Sequence, residues 1–364
     1  MRTIPASPFP SGGREPVAEA TSADNGSLFV VNQDDNSIVQ FVIGSDGKLY
    51  PFNTVNTPGV YPLAVTTSKS NLFVVDTYQP LPICSTAEPC SGSIAVYPLL
   101  AGGSASTAPC AATVCMGTPV VNSNVSAAYW PLILASAPAD VIVPTAVNVT
   151  ASGSYVYVTA YDASITPNVG YVFGFSVASS GALTALSGSP FVAGVKPSAV
   201  ASNSAGSYLY VTDFTAGDVL GYSISSASGS VGKLTALTTG LGGSNRFTAG
   251  NQPLGIVVDP TYSYAYVANS LDSSVTAYSI GSNGTLTSIG TYATGTNPVA
   301  IGIDPSTNHF LFTANFLGNN VSDFELSTTA GTLIEAQSEP YSSNAQPTAV
   351  AAVPHNGTGS GITQ

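Results

Sequence analysis

Charged side chains are scarce in this sequence, and basic ones are the scarcest. Of 364 residues, 7 are Lys or Arg and 19 are Asp or Glu, which gives a net charge of −12. Nucleic acids and anionic membrane surfaces are bound through clusters of basic residues, so we expect neither as a partner. The sequence also lacks an unbroken apolar run of about 18 residues, the length that a membrane-spanning helix needs. We therefore expect no membrane span.

Histidine is almost absent, and so are the motifs of several enzyme families. The two histidines, His309 and His355, are predicted in solvated turns. The sequence contains no G-x-S-x-G nucleophile elbow, no H-E-x-x-H zinc helix and no P-loop. An enzyme with this sequence would therefore depend on carboxylates and a few cations.

Turn-forming residues are plentiful, and they separate repeated strand patterns. The chain has 36 glycines and 26 prolines. A Pro, a small residue and an apolar run recur, as in Pro197–Val200, and an aromatic β-branched segment follows, as in Tyr210–Asp213. A third pattern, as in Val275–Ile280, often precedes a Gly-x-Leu-Thr segment. Alternation of apolar and polar residues between turns predicts antiparallel strands.

Four strands per repeat, at a spacing of roughly 45–55 residues, predict an all-β fold, a β-propeller of four-stranded antiparallel blades. We expect one domain over residues 1–364. The second repeat is long, and we interpret residues 77–143 as a loop-rich insertion within the second blade. Seven blades are predicted because the repeat proline occurs seven times, as Pro16, Pro62, Pro144, Pro197, Pro253, Pro298 and Pro347.

The seventh repeat is incomplete. Residues 347–353 have the pattern of an innermost strand, and Ile4–Phe9 resembles the outermost strand at Leu186–Phe191. We expect the C-terminus to supply the inner strand of the closing blade and the N-terminus its outer strand, with the two middle strands absent. Because such strands would leave unpaired edges, we expect upstream sequence to carry the middle strands and a secretion signal.

Four cysteines lie in the insertion. Cys84 and Cys90 flank one short loop, and Cys110 and Cys115 flank another. Neither spacing is that of a zinc site, and no histidine lies nearby. We favour two local disulfides over free thiols, with the pairing left open, and therefore expect an extracellular or periplasmic protein.

The segments YVTA, YVTD and YVAN, at Tyr157–Ala160, Tyr210–Asp213 and Tyr266–Asn269, resemble strands of the YVTN-repeat and lactonase-like seven-bladed propellers. This group includes 6-phosphogluconolactonase-like proteins. The resemblance covers nearly the whole chain. It implies a propeller fold, and for function it implies either the hydrolysis of sugar lactones or a secreted role with no assigned activity.

One face of such a propeller collects the connections into the innermost strands and the loops after the second strands. Polar and aromatic side chains there are predicted to bind a small molecule. The alternative is that each Asn or Asp caps a strand in a tight turn. We expect no metal, with Ca²⁺ at Asp34 and Asp35 as an alternative. The predicted ligand-binding residues are Asp34, Asp76, Tyr78, Asp213, Phe214, Asn269, Asn315, Phe316 and Gln346.

Glu19 occupies a position that is apolar in the other repeats, such as Val65 and Val200. A carboxylate in a packed position loses hydration, which raises its pKa unless a cation or donor compensates. We therefore select Glu19 as candidate general base for a water that attacks a lactone, with Arg14 and Lys196 polarising the carbonyl. The alternative is a structural Glu bonded to the backbone.

Two functions remain open. The first is a secreted, monomeric propeller that binds a sugar-like, glycan or cell-surface ligand on this face, without established catalysis. The alternative is a lactonase-like hydrolase of a neutral sugar lactone. A phosphorylated sugar is disfavoured because phosphate recognition calls for two or more cations close together.

Overall fold

The structure, a computed structural model, describes residues 7–80, 90–102, 114–261, 263–304, 310–336, 340–343 and 345–353. These residues form six antiparallel sheets, each of which is one blade, and one 3₁₀ helix, η1 (Leu241–Gly243). The prediction of an all-β propeller is confirmed. The predicted count of seven blades differs from the six complete blades of the described residues.

The first four strands of each of blades 1 to 3 pair in chain order. Blade 1 contains β1 (Pro16–Thr21), β2 (Ser27–Asn32), β3 (Ser37–Ile43) and β4 (Leu49–Asn56). Blade 2 contains β5 (Val60–Thr67), β6 (Asn71–Tyr78), β7 (Ser93–Ala101), β8 (Val114–Met116) and β9 (Trp130–Pro131). Blade 3 contains β10 (Ile142–Val149), β11 (Tyr155–Asp162), β12 (Val169–Val177), β13 (Leu183–Ala185) and β14 (Phe191–Val192).

Blades 4 to 6 have the same arrangement. Blade 4 contains β15 (Pro197–Ser202), β16 (Tyr208–Asp213), β17 (Asp218–Ile224), β18 (Leu234–Ala236) and β19 (Arg246–Thr248). Blade 5 contains β20 (Pro253–Val258), β21 (Tyr264–Asn269), β22 (Ser274–Ile280) and β23 (Leu286–Ala293). Blade 6 contains β24 (Pro298–Ile303), β25 (Phe310–Asn315), β26 (Asn320–Leu326), β27 (Leu333–Glu335) and β28 (Tyr341–Ser342). In blades 2, 3, 4 and 6 the outer edge consists of two short strands that both pair with the third strand.

The first strand of each blade lies near the central axis. First strands of successive blades contact one another, from β1 with β5 to β20 with β24. The pairing of each first strand shifts by one residue directly after the repeat proline, as between Pro197 and Ala199. Proline has no N–H to donate to a strand ladder, so a bulge on an edge strand is a position that tolerates it.

Apolar cores lie between neighbouring blades. The third residue after a repeat proline packs on the middle strands of the preceding blade, as Val65 packs with Phe29 and Ile38 of blade 1. Val147, Val200, Ile256 and Ile301 pack in the same way on blades 2 to 5. The position of Glu19 is therefore one that faces the blade preceding blade 1 in the ring.

Residues 347–353 lie between blade 6 and blade 1, where the first strand of a seventh blade would lie. The Thr348 hydroxyl donates to the carbonyl of Pro16 at 2.9 Å, and Ala351 packs against the apolar residues of blade 1. Neither this segment nor residues 7–9 forms a strand, which corrects the prediction of two closing strands. The physical reason is that the described residues place no middle strands beside them to complete a ladder.

Several predictions fall outside the described residues. Cys84 and Cys110 lie there, so the two disulfides stay predictions, although the described cysteines include no free thiol. His309 and His355 lie there as well. Within the described ranges no helix is long and apolar enough to cross a membrane.

Candidate functional site

The connections and loops predicted on one face do meet there. The N–H of Phe214, just after β16, donates to the carbonyl of Lys196, just before β15, at 2.9 Å. Phe316 and Asn297 make the same hydrogen bond in blade 6 at 2.9 Å. We call the surface formed by the residues before the repeat prolines and after the second strands the rim face. It is held together by backbone hydrogen bonds within each blade.

Four of the residues that directly precede the repeat prolines on the rim face have a left-handed backbone conformation. Glu15, Tyr61, Gln252 and Asn297 have φ of 54°, 56°, 53° and 61°, and each directly precedes a repeat proline. Such a conformation costs a residue with a side chain on the order of 1–3 kcal/mol, and strained residues cluster at functional sites. The chain keeps polar and aromatic side chains at these positions although glycine would relieve the strain. This supports the rim face as the functional face.

An Asn or Asp at or near the end of each second strand is buried beneath the rim face. The two carboxylate oxygens of Asp213 accept hydrogen bonds from the N–H groups of Val195, at 2.8 Å, and Lys196, at 3.2 Å. Asp76, Asp213 and Asn269 each accept a backbone N–H of the loop before the repeat proline, which is the use that the capping alternative gives them. The predicted ligand-binding residues with no exposed surface are Asp76, Asp213, Asn269 and Asn315.

A glycine three residues before the repeat proline makes room for the buried side chain. A Cβ on Gly250 would lie 2.7 Å from Cγ of Asn269, and a Cβ on Gly13 would lie 2.6 Å from Cγ of Asn32. A glycine at this spacing is a sequence signal for a structural Asn or Asp. The sequence analysis did not identify this signal. The glycines are Gly13, Gly59, Gly194, Gly250 and Gly295.

Blade 3 departs from this pattern. Val141 stands where the other blades have glycine, and the carboxyl of Asp140 pairs with the buried Asp162. Desolvation raises the pKa of Asp140, and the hydrogen bond and charge of Asp162 raise it further. Sequence reasoning missed Asp140 because it lies in a loop with no repeated pattern.

Asp76 of blade 2 is the most perturbed acid of this buried set. Burial raises the pKa of its carboxyl to about 7, although hydrogen bonds from Thr57 and Gly59 act in the opposite direction. Its Oδ1 has no hydrogen-bond partner among the described residues. Blades 1, 5 and 6 have an uncharged Asn at the equivalent position. The charge of Asp76 is therefore not needed to hold the loop.

Aromatic side chains of blades 3 and 4 flank the ammonium group of Lys196 on the rim face. Lys196 Nζ lies 5.2 Å from the ring centroid of Tyr161 and 5.3 Å from that of Phe214. Tyr78 packs edge-on against Tyr61 with ring centroids 6.0 Å apart. Burial raises the pKa of the Tyr161 hydroxyl, and the nearby Tyr78 hydroxyl raises this pKa further. We call Tyr61, Tyr78, Tyr161, Lys196 and Phe214 the aromatic cluster.

The aromatic cluster combines flat apolar surfaces with one cation. A cation over aromatic faces is stabilised by the ring quadrupoles, so the ammonium group keeps a defined position. A small number of polar groups among apolar walls is typical of small-molecule sites. The cluster can therefore hold a sugar ring and direct a positive charge at one of its oxygens.

Arg14 does not join Glu19 or Lys196. Its Nε lies 2.7 Å from Asp35 Oδ1, and its backbone N–H donates to the other oxygen of Asp35 at 2.6 Å. The pair is solvent-exposed, with 71% of the Arg14 side chain accessible. The Asp35 hydrogen bond and charge raise the pKa of Arg14, and Arg14 lowers the pKa of Asp35. Arg14 therefore pairs with Asp35.

Glu19 lies at the junction of blade 6 and blade 1, which we call the seam. Burial raises the pKa of its carboxyl, and a hydrogen bond from the Ala351 backbone offsets this in part. Glu19 lines a cavity of about 630 Å³ together with Glu15, Phe316 and Gln346. The seam thus brings together three of the predicted site residues, but it is separated from Lys196, which belongs to blade 4.

Asp34 is exposed, and its neighbour Asp35 is engaged by Arg14. Three or more His, Cys, Asp or Glu side chains arranged to hold a metal ion are not found in the described part of the chain. Ca²⁺ binding at Asp34 and Asp35 gains no support from this geometry.

A model of the family "Lactonase, 7-bladed beta-propeller" matches residues 172–351. Over this range the chain is similar to the lactonase-like propellers. No curated protein matches it. The family match covers blades 4 to 6, part of blade 3 and most of residues 347–353.

Three solved structures of other proteins are similar over most of this chain. A candidate 6-phosphogluconolactonase from Bacteroides fragilis is 20% identical, with a TM-score of 0.66, over 92% of this chain and 86% of the other. The periplasmic gluconolactonase of Pseudomonas aeruginosa is 18% identical, with a TM-score of 0.63, over 91% and 86%. A functionally unknown protein from Desulfotomaculum acetoxidans is 13% identical, with a TM-score of 0.64, over 94% and 90%. At these identities the similarity establishes the fold alone.

Proposed function

We propose that this protein hydrolyses the ring ester of a neutral sugar lactone, and that the aromatic cluster binds the lactone. The family match and the gluconolactonase among the similar structures support this class of reaction. We choose this site because the Lys196 ammonium is held between the rings of Tyr161 and Phe214.

The reaction places a negative charge on one oxygen. The oxygen of water forms a bond to the lactone carbonyl carbon, the bond from that carbon to the ring oxygen breaks, and a proton passes to the ring oxygen. The product is a hydroxy acid. The carbonyl oxygen becomes negative in the transition state, and a fixed cation beside it stabilises that charge. Lys196 supplies this cation, while Tyr161 and Phe214 hold the sugar ring.

Glu19 stays a separate prediction as general base. It lies on β1 in blade 1, and Lys196 directly precedes β15 in blade 4. Blades 1 and 4 are not neighbours, so the side chains of Glu19 and Lys196 lie at different places around the ring. Loss of activity in Glu19→Gln with normal folding would support the base, and unchanged activity would remove it.

A neutral lactone fits better than a phosphorylated one. The guanidinium of Arg14 is already engaged by Asp35, so the aromatic cluster has Lys196 as its cation. Strong phosphate sites combine several charge-assisted hydrogen bonds, often with a bidentate Arg. We expect a neutral aldonolactone to be hydrolysed with a higher kcat/KM than its 6-phosphate.

The decisive experiment compares Lys196→Met with Lys233→Met, an exposed lysine of blade 4. Removing an oxyanion partner lowers kcat by roughly 100-fold in well-studied hydrolases. We expect Lys196→Met to lose about that factor on a neutral aldonolactone and Lys233→Met to retain wild-type rates. Equal rates for all three proteins would refute the assignment. Binding of lactones without hydrolysis by the wild-type chain would favour the alternative of a binding propeller.

We also propose a location outside the cytoplasm. The four cysteines support it, and so does the periplasmic origin of the similar gluconolactonase. Mass spectrometry of the unreduced protein, purified from an oxidising compartment, is expected to show two disulfides. Four free thiols in that sample would contradict the proposal.

A further inference from the structure

Two residues that precede repeat prolines on the rim face reach toward the preceding blade. The Lys196 ammonium of blade 4 lies 5.2 Å from the ring centroid of Tyr161, which belongs to blade 3. The side-chain amide of Asn297 in blade 6 donates to the carbonyl of Ser270 in blade 5 at 3.4 Å. Tyr161 and Ser270 occupy equivalent positions, because each follows the residue that pairs with the repeat proline of its blade. The repeat therefore directs such a side chain at one defined position of the blade before it.

Gln252 holds the corresponding position in blade 5, directly before Pro253. In blade 4 the residue equivalent to Tyr161 is Phe214, which follows the residue that pairs with the repeat proline of that blade. The repeat therefore places the Gln252 side chain next to Phe214. The ring centroid of Phe214 is 5.3 Å from the Lys196 ammonium, so Gln252 borders the aromatic cluster.

A contact between blades 4 and 5 supports this placement. The Ser198 hydroxyl of β15 donates to the carbonyl of Pro253, the first residue of β20. The two first strands therefore begin side by side. Lys196 directly precedes β15 and Gln252 directly precedes β20, so both residues emerge on the rim face as neighbours.

The backbone of Gln252 is fixed, while its carboxamide is free. The Gln252 carbonyl accepts a hydrogen bond from the Ser270 N–H at 3.0 Å and another from the Ser270 hydroxyl at 2.9 Å. Its φ of 53° is a left-handed conformation that costs a residue other than glycine free energy. The described part of the chain provides no hydrogen bond to the Gln252 side chain, which is half-buried. An anchored, strained position thus presents an amide with donors and an acceptor.

A carboxamide beside an aromatic ring has the chemistry to recognise a hydroxylated ring. The amide oxygen can accept a hydrogen bond from one hydroxyl while the NH₂ group donates to another. An ammonium group can only donate, and a phenyl ring offers an apolar surface. Few polar groups among apolar walls fix the orientation of a small ligand. Gln252 therefore complements Lys196 and Phe214.

We propose that Gln252 selects lactones whose ring carries hydroxyl groups, an inference that rests on the proposed hydrolysis of lactones at the aromatic cluster. The ring packs on Phe214, its carbonyl oxygen faces Lys196, and its hydroxyl groups bind the Gln252 carboxamide. A lactone without hydroxyl groups leaves that carboxamide unpaired, which lowers its kcat/KM. The substrate class is thus polyhydroxylated aldonolactones, and alkyl lactones are poor substrates.

The test compares D-glucono-δ-lactone with δ-valerolactone, which has the same ring ester and no hydroxyl groups. We expect Gln252→Met to lower kcat/KM about tenfold on the gluconolactone, which corresponds to the loss of roughly one hydrogen bond, and to leave kcat/KM on δ-valerolactone unchanged. Asn283→Leu is the matched control, because it replaces an exposed amide of the same blade in the β22–β23 turn on the opposite face. This control is expected to keep wild-type rates on both lactones.

Gln252→Gly separates substrate recognition from folding. Glycine adopts a left-handed backbone without strain, so we expect a melting temperature no lower than that of Gln252→Met, together with the same loss on the gluconolactone. Equal losses on both lactones, or wild-type selectivity in both Gln252 variants, would overturn the inference and leave lactone hydrolysis in place. A wild-type chain that hydrolyses neither lactone would refute the proposed function, and this inference with it.

Discussion

At the scale of single residues, the clearest feature is the buried polar side chain under each rim loop. Asn32, Asn269 and Asn315 are neutral amides, whereas Asp76 and Asp213 are carboxyls at the equivalent position. Asp213 accepts four backbone N–H groups, as a carboxylate does well. Asp76 leaves one oxygen without a partner in the described structure, and its pKa is raised to about 7.

Asp76→Asn is expected to stabilise the protein, and more so at high pH. The folded-state pKa of about 7 lies above the ordinary value of 3.8, so the folded protein keeps a proton that the unfolded chain has lost. The free energy of unfolding of the wild type therefore falls as pH rises from about 4 to 7, and then levels off. We expect the advantage of the variant to grow by about 2–3 kcal/mol between pH 5 and pH 8.

Urea unfolding at the two pH values measures this advantage. Asp34→Asn, on an exposed side chain of the same face, serves as the matched control and is expected to show the same difference from wild type at both pH values. An Asp76→Asn advantage that shrinks as pH rises would show that the carboxyl is ionised and stabilising in the folded protein.

Glu19→Val is expected to stabilise the free chain at neutral pH, because valine occupies the equivalent position in several repeats. Burial raises the pKa of Glu19, so the stability cost of its carboxyl appears as pH rises above its ordinary value of 4.5. The stability gain of the variant should therefore increase from pH 4 to pH 8 in thermal unfolding. A variant less stable than wild type at pH 8 would mean that the charged carboxylate has a partner in the folded chain.

At the scale of elements, the repeated unit is a rim loop held on a buried side chain. Gly250 lies against Asn269, and a Cβ there would also lie 2.6 Å from a carboxylate oxygen of Asp272. The loop cannot move away without breaking the hydrogen bond from Gly250 N–H to Asn269 Oδ1, which is 2.9 Å long. The glycine, the buried side chain and the first strand form one unit.

Gly250→Ala is expected to destabilise the chain more than Gly206→Ala. Gly206 has open space around its Cβ position but a φ of +64°, so alanine there bears only the cost of a left-handed backbone. At Gly250 the methyl group meets packed side chains, and overpacking costs about 1–3 kcal/mol. Urea midpoints of the two variants measure the difference. A larger loss at Gly206 would contradict this account of the loops.

Strand order could be predicted from the sequence, because turn residues separate patterns with a period of two. The packing of Glu19 toward a neighbouring blade also followed from the apolar residues at its equivalents. The partner of Arg14 could not be predicted, because Asp35 meets it only when two loops converge. The burial of Asp213 could not be distinguished from ligand contact by residue type, since both uses favour a short polar side chain.

At the scale of the whole molecule, the ring is closed by a segment without strand pairing. Residues 347–353 contact blade 1 through Thr348 and Ala351, whereas β24 is paired along its length with β25. The count of seven repeat prolines predicted seven blades, whereas the described residues form six complete ones. It could not show that residues 347–353 would form no ladder, because a ladder depends on the neighbouring strand.

Hydrogen exchange of the free chain tests this description of the ring. Backbone N–H groups in a ladder exchange only on opening, while unpaired ones exchange readily. We expect residues 347–353 to exchange at least tenfold faster than residues 298–303, the first strand of blade 6. Equal protection of the two segments would mean that the closing strand is paired.

The most direct test of the whole account is the structure of the protein crystallised with a non-hydrolysable analogue of a neutral aldonolactone. The account predicts the analogue on the rim face, with its ring against Tyr161 or Phe214 and its carbonyl oxygen within hydrogen-bond distance of Lys196 Nζ. An analogue bound beside Glu19 in the seam, with the aromatic cluster unoccupied, would contradict it.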